Sequence, residues 1–265
     1  MLTDQRREEI IRIIYTEGKA YISELADLFK VSGETIRRDL NEIVKREKIK
    51  KVHGGAVCIK RPIREDHYDI RKLKNHEQKL AIGKYAAQLI RDNDIIAMDT
   101  GTDTESLAAQ INGVHGVIII TNSLNIAQIL SNKRKNGDFD GQIIMLGGDI
   151  DSDTDCAYSP LTNEMLSRFV VDKAFIGATA INAQGITSWD IRHGVFTEGL
   201  CKVAQKCYFL ADSDKFGKHS FYHICPISEI DVIITDDKYP ISEMFKEICK
   251  KSNCHLEIVN MKSVD

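Results

Sequence analysis

Seven short apolar runs punctuate residues 94–259: DIIAMD, VIIIT, QIIMLGG, KAFIGA, CYFLAD, DVIITD and LEIV. Each is too short for an ordinary helix, and each is continuous rather than alternating. A strand covered on one face alternates apolar with polar residues, whereas a strand covered on both faces does not. Between most of the runs lie ESLAAQI, NIAQIL, NEMLSRF and ISEMFKEIC, which read as helices. Strands alternating with helices dictate an α/β body: a buried, mostly parallel sheet with helices on both faces. A long amphipathic helix over about His76 to Arg91 precedes the first run, with Leu80, Ile82, Ala86, Ala87, Leu89 and Ile90 as its apolar residues. No fixed-period repeat is visible.

The N-terminal sixty residues have a different grammar. Thr3 or Asp4 caps a first helix with the stripe Ile10, Ile11, Ile13 and Ile14, stopped at Gly18. Tyr21-Ile22 reads as a short extended piece. Ser23 is a plausible cap for ELADLF, with Leu25, Ala26 and Phe29 on one face. After the tight connection Lys30–Gly33, Ser32 caps a third helix from about Glu34 to Lys45. Ile36, Leu40, Ile43 and Val44 face inward; Thr35, Arg37, Arg38 and Asn41 face outward. IKKVHGGAVCI then reads as two β runs around His53-Gly54-Gly55. Residues 60–75 are polar, carry Pro62 and form a linker with room for a short helical piece. The boundaries are therefore 1–59 for a winged helix-turn-helix head, 60–75 for the linker and 76–265 for the body.

Charge agrees with this division. The whole chain carries −3, yet residues 1–60 hold 13 Lys and Arg against 10 Asp and Glu. A mildly basic head points to an anionic partner. A helix of this size fits the major groove of double-stranded DNA, and Arg can bridge guanine or hold phosphates. Ser32, Thr35, Arg37 and Arg38 are the candidate contacts on the third helix. Lys48, Lys50, Lys51 and His53 are candidates on the wing. The competing reading is a three-helix bundle whose basic side chains are merely solvated.

In the body, Asp99-Thr100-Gly101-Thr102-Asp103-Thr104 sits between an apolar run and a helix. Such a turn is either an anion site built from backbone N–H groups and hydroxyls or a plain strand-to-helix connection. Asp212–Phe216 follows CYFLA, where Lys215 either meets a ligand or pairs with Asp212 or Asp214. Asn122, Gly148 with Asp149, and Gly177 follow other strands and would rim the same crevice. Trp189 stacks on a sugar face or packs internally. The histidines assemble no metal set, and no cofactor fingerprint is present. Seven cysteines without a CxxC pair fit a reducing cytoplasm better than a disulfide framework. No signal segment and no run of membrane-spanning length is visible.

ISELADLFKVSGETIRRDLNEIVKREKIKKVHGGAV resembles the N-terminal domain of the DeoR family of bacterial transcriptional regulators, VSGETIRRDL and HGGA being its most specific pieces. IAMDTGT, IIITNSLNIAQIL, MLGGDI, DKAFIGA, ADSDKFGKHSF and DVIITD look like the family's sensor domain, in the same order. The resemblance implies a body similar to the ribose-5-phosphate isomerase fold. It implies a repressor of a carbohydrate uptake or catabolism operon that binds double-stranded operator DNA as a homodimer or homotetramer. It also implies control by a phosphorylated sugar or polyol at Asp99, Gly101, Thr102, Thr104, Asn122, Gly148, Asp149, Gly177 and Lys215. The loop departs from the family's Asp-x-Gly-Thr-Thr pattern at Asp103, a carboxylate that would repel a phosphate; it is expected to turn away from the crevice. The alternative is a sugar-phosphate isomerase with an accessory head. It needs a carboxylate base, and the stretch Ile176–Ala180, where the resemblance would place one, has none.

Overall fold

The computed structural model describes residues 3–17, 19–46, 49–58 and 68–261. Gly18, Lys48, and linker residues 60–67 with Pro62 lie outside them. The head comprises α1 (Thr3–Glu17), β1 (Lys19–Tyr21), α2 (Ile22–Phe29), α3 (Gly33–Arg46), β2 (Ile49–Val52) and β3 (Gly55–Cys58). Then follow α4 (Tyr68–Leu73), α5 (His76–Ala87), β4 (Ile95–Met98), α6 (Thr102–Gln110), β5 (Ile118–Thr121), α7 (Leu124–Asn136) and β6 (Gln142–Met145). The chain continues with β7 (Ile150–Asp151), β8 (Cys156–Ala157), α8 (Pro160–Leu166), β9 (Val171–Gly177), β10 (Ala180–Asn182) and β11 (Gly185–Ser188). It closes with α9 (Ile191–Val203), β12 (Ala204–Leu210), β13 (Tyr222–Cys225), β14 (Val232–Asp236), α10 (Glu243–Lys251) and β15 (His255–Val259).

The head packs its three helices on an antiparallel ribbon ordered β1-β3-β2. Ile10, Ile14, Leu25, Ile36, Leu40 and Ile43 are buried together, as the helical stripes require. The extended piece before α2 is a third strand, pairing Lys19–Tyr21 with Gly55–Val57. This pairing moves the start of α2 to Ile22, whose N–H donates to the Gly54 carbonyl at 2.8 Å. Tyr21, not Ser23, is therefore the cap. The two strands approach so closely that a Cβ on Gly55 would lie 2.2 Å from the Ala20 carbonyl oxygen, so glycine is required there. Lys30, at φ 52°, ends α2 in the left-handed region, and the Ser32 hydroxyl accepts the Thr35 N–H at 3.1 Å, capping α3. Asp39, only 2% exposed, accepts from Arg6 Nε at 2.7 Å and Arg7 Nε at 2.9 Å and fixes α3 against α1.

The seven apolar runs form one parallel sheet ordered β15-β14-β12-β9-β4-β5-β6. Alternate strand residues feed two cores. Ile96, Met98, Ile119, Phe175 and Leu210 pack under α5, α6 and α7. Ala97, Ile120, Ala174, Ile176 and Phe209 pack under α8, α9 and α10. The chain lays down β4, β5 and β6 in one direction, then returns to the other side of β4 with β9. That reversal is the switch point at which open α/β sheets leave a crevice outside the carboxyl ends of their strands. The body also contains a small antiparallel sheet, β10-β11-β13, and the antiparallel β7-β8 pair. The expected helix over 76–91 ends earlier, at Ala87, and Gln88, Leu89 and Ile90 donate instead to carbonyls three residues back.

Candidate functional site

The crevice at the switch point is lined by Arg71, Thr100–Asp103, Thr154, Tyr158, Gly177–Thr179, Asp190, His193 and Lys215. Strand order explains which expected residues meet. β4, β9 and β12 are neighbours, so the loops after them bring Gly101 and Thr102, Gly177 and Lys215 into one cavity. β6 lies two strands from β4, so Gly148 and exposed Asp149 fall outside it; Gly148 lies against Ser159 and Thr162. Asn122, at the end of β5, is buried and donates to the Ala157 carbonyl at 3.0 Å. Thr104 closes the turn from below, its hydroxyl donating to the Gly101 carbonyl at 2.9 Å. Gly101 starts α6 at φ 147°, where a side chain would be strained. Trp189 does not line the cavity; its ring lies 6.0 Å from that of Phe221.

Asp99 is fully buried behind the cavity wall and is consumed by internal bonds. Its Oδ1 accepts the Thr100 N–H at 2.8 Å; its Oδ2 accepts the Thr197 hydroxyl at 2.9 Å and lies 3.0 Å from His193 Nε2. It holds the loop and His193 in place rather than offering itself to a ligand. His193 Nδ1 in turn lies 3.0 Å from the Ser188 hydroxyl. The order Ser188, His193, Asp99 matches a nucleophile relay in name only. Ser188 is buried, outside the cavity, and bonds the Asp190 carbonyl. Cys156 likewise donates to the Thr100 hydroxyl, and burial pushes its thiol up to about 11, so it stays protonated.

Asp103 corrects an expectation. Its carboxyl does not turn away: it lines the cavity, is 5% exposed, and sits among Lys79, Lys215, Arg71 and Asp212. Desolvation, with Asp212 adding to it, pushes the carboxyl up to about 7 against the pull of the three cations. Its Oδ1 is sealed from solvent without a hydrogen-bond partner among the described residues. Lys79 is itself buried. Its ammonium donates to the carbonyls of Arg71 and Lys74, and desolvation lowers its pKa.

The Lys215 loop is held from two sides. Asp236 at the end of β14 accepts both the N–H and the hydroxyl of Ser213 at 2.7 Å. Asp212 accepts from Asn75 at 3.0 Å, and Asp214 pairs with Lys74 and Lys218, leaving Lys215 turned to the cavity.

Sequence reasoning missed Arg71 and His193. Arg71 comes from α4, inside the stretch read as linker. α4 is clasped to the body by Tyr68, whose hydroxyl donates to Glu105 and accepts from Asn125 Nδ2 at 3.0 Å. The aromatic ring of Tyr68 also faces Arg71 and Lys72.

On the head, Arg37 and Arg38 are exposed on α3, and Arg37 is loosely paired with Glu34 at 3.3 Å. Ser32 and Thr35 lie at the start of that helix. Lys50, Lys51 and His53 are exposed on the β2–β3 ribbon, where Lys51 donates to Asn41 of α3 at 2.6 Å and ties wing to helix. No helix among the described residues is long and apolar enough to cross a membrane.

Comparison with known proteins matches both parts of the chain. The family model of the DeoR-like helix-turn-helix domain covers residues 6–62, and that of the DeoR C terminal sensor domain covers residues 74–237. The HTH-type transcriptional repressor GlcR of Bacillus subtilis is 32% identical over 236 residues, 89% of each chain. The glycerol-3-phosphate regulon repressor of Escherichia coli is 29% identical, covering 92% of this chain and 95% of its own. Among solved structures, a ribose 5-phosphate isomerase A from Methanocaldococcus jannaschii overlaps 54% of this chain and 55% of its own, at 17% identity and a TM-score of 0.38. With both domain models in order along the sequence and relatives matched nearly end to end, the chain belongs to the DeoR family of helix-turn-helix transcriptional regulators.

Proposed function

We propose that this regulator represses an operon for carbohydrate uptake or catabolism and leaves its operator when a phosphorylated sugar or polyol fills the switch-point cavity. The observation that carries this reading is Arg71. One side chain of α4, the first described helix after residues 59–67, forms part of the cavity wall. An anion drawn to Arg71 and Lys215 acts directly on the segment that leads to the head. The relatives named as a repressor and as a glycerol-3-phosphate regulon repressor support the direction and the ligand class.

The division of labour is a head at 1–59, a linker at 60–75 and a sensor at 76–265. A single head makes few phosphate contacts and binds weakly. Two heads carried by a homodimer or homotetramer gain effective concentration when their spacing fits the operator. An effector that binds better to the sensor with α4 displaced stabilises that state and disrupts the spacing. The chain acts in the cytoplasm, where operator DNA is found, and performs no turnover of its own. The test is to select bound fragments from genomic DNA with the full chain, then titrate the complex with sugar phosphates. Release by one of them supports the reading; indifference to all of them rejects it.

A further inference from the structure

We infer that Asp103 is the specificity-determining residue of the cavity: its carboxylate takes the hydrogen of an effector hydroxyl and excludes a phosphate from that position. This inference rests on the sugar-phosphate reading above and assigns one part of that ligand to one side chain.

A buried carboxylate oxygen without a donor is costly, and native structures rarely leave one. Asp103 is 5% exposed, and its Oδ1 has no hydrogen-bond partner among the described residues. The groups around it do not supply the missing donor. The ammonium of Lys79 is committed to two backbone carbonyls, and Asp212, an acceptor itself, is held by Asn75. Arg71 and Lys215 face the carboxyl across the cavity and balance part of its charge. Asp103 lines the cavity, and a hydroxyl of a ligand bound there would supply that donor.

Above about pH 7, where Asp103 is ionised, its carboxylate accepts hydrogen bonds and donates none, so it suits a hydroxyl. It opposes a phosphate dianion in the same place. Phosphate is better met by the N–H groups at the start of α6 together with Lys215 and Arg71. The cavity thus sorts its ligand in two zones, a cationic one and a hydroxyl-accepting one. A molecule with a phosphate and a hydroxyl satisfies both; inorganic phosphate satisfies one and is repelled by the other.

The test uses the full chain as wild type, Asp103→Asn and Asp103→Ala, with calorimetry against glucose 6-phosphate, fructose 6-phosphate, ribose 5-phosphate, glycerol 3-phosphate and inorganic phosphate. For the sugar or polyol phosphate that wild type binds most tightly, Asp103→Ala should lose about tenfold or more, the effect of removing one charged hydrogen bond. Asp103→Asn, which keeps an acceptor oxygen and the side-chain shape, should recover part of that loss. Inorganic phosphate should bind more tightly to both variants. Because the two ligand types move in opposite directions, general damage to the fold would not reproduce the result. Sugar-phosphate affinity unchanged in Asp103→Ala, or inorganic phosphate weakened alongside it, overturns the inference while leaving the effector reading intact. Failure of every sugar and polyol phosphate to bind wild type overturns the effector reading itself, and this inference with it.

Discussion

Two arginines and one aspartate carry the most consequence at the scale of single residues. Arg37 and Arg38 are exposed on α3, beside a wing tied to the same helix by Lys51 and Asn41. Replacing both with Ala should abolish specific operator binding while the sensor still binds its effector. If one reads a guanine, its loss alone should cost roughly 1–3 kcal/mol and relax specificity at one base pair. Unchanged operator affinity in the double variant at moderate salt would reject the docking face. Asp103 predicts a pH dependence with a definite sign. Its carboxyl is pushed from 3.8 up to about 7, so folding favours the protonated form. That contribution is complete below the ordinary Asp range and is lost as pH rises through about 7. Asp103→Asn, neutral throughout, should therefore raise the melting temperature more at about pH 8 than at about pH 5. An equal effect at both would show that the carboxyl is not held in its protonated form. The sequence marked Asp103 as a departure but not its orientation. Its surroundings come from Arg71, Lys79, Asp212 and Lys215, separated by up to 144 residues along the chain. His193 was invisible for the same reason: its partner Asp99 is 94 positions away.

At the scale of elements, the legible parts were those written in local periodicity. All seven continuous apolar runs are strands of the parallel sheet, because burial on both faces leaves that mark in each strand separately. The antiparallel strands β10, β11 and β13 left none, being three or four residues long and lacking an apolar run. The first residues of α2 were misread because strand pairing of Lys19–Tyr21 with the distant Gly55–Val57, not a local cap, sets where that helix begins. Site composition followed strand order, which the sequence does not print. Loops after adjacent strands meet; of the connection after β6, Gly148 and Asp149 stay outside the cavity while Thr154 and Tyr158 reach it. α4 carries the next prediction. Tyr68→Phe removes the hydroxyl bridging Glu105 and Asn125 without touching the cavity. It should lower several-fold the effector concentration needed for half-release from DNA, because the displaced state of α4 becomes easier to reach, with a stability loss of about 1 kcal/mol, that of one hydrogen bond. An unchanged release curve would show that the clasp does not take part in signalling.

For the whole molecule, regulation requires the cavity and the head to be two ends of one equilibrium, with no chemistry between them. The cavity contains a carboxyl near neutrality, a histidine and a lysine, the residue types an isomerase would use. Yet Asp99 is saturated by internal bonds, and Gly177–Thr179 carries no acid. Purified protein should not interconvert ribose 5-phosphate and ribulose 5-phosphate above the rate without protein; turnover abolished by Asp103→Asn would restore the enzymatic reading. The central claim is that occupancy of the cavity is communicated to the head through α4. Its most direct test is the affinity of the full chain for a selected operator fragment, with and without a saturating sugar phosphate, in wild type and Arg71→Ala. Wild type should lose at least about tenfold in operator affinity on ligand addition, a coupling of ~1.4 kcal/mol, and Arg71→Ala should lose most of that response even when the ligand is raised to saturation. Full release of the Arg71→Ala protein at saturating ligand would contradict the account.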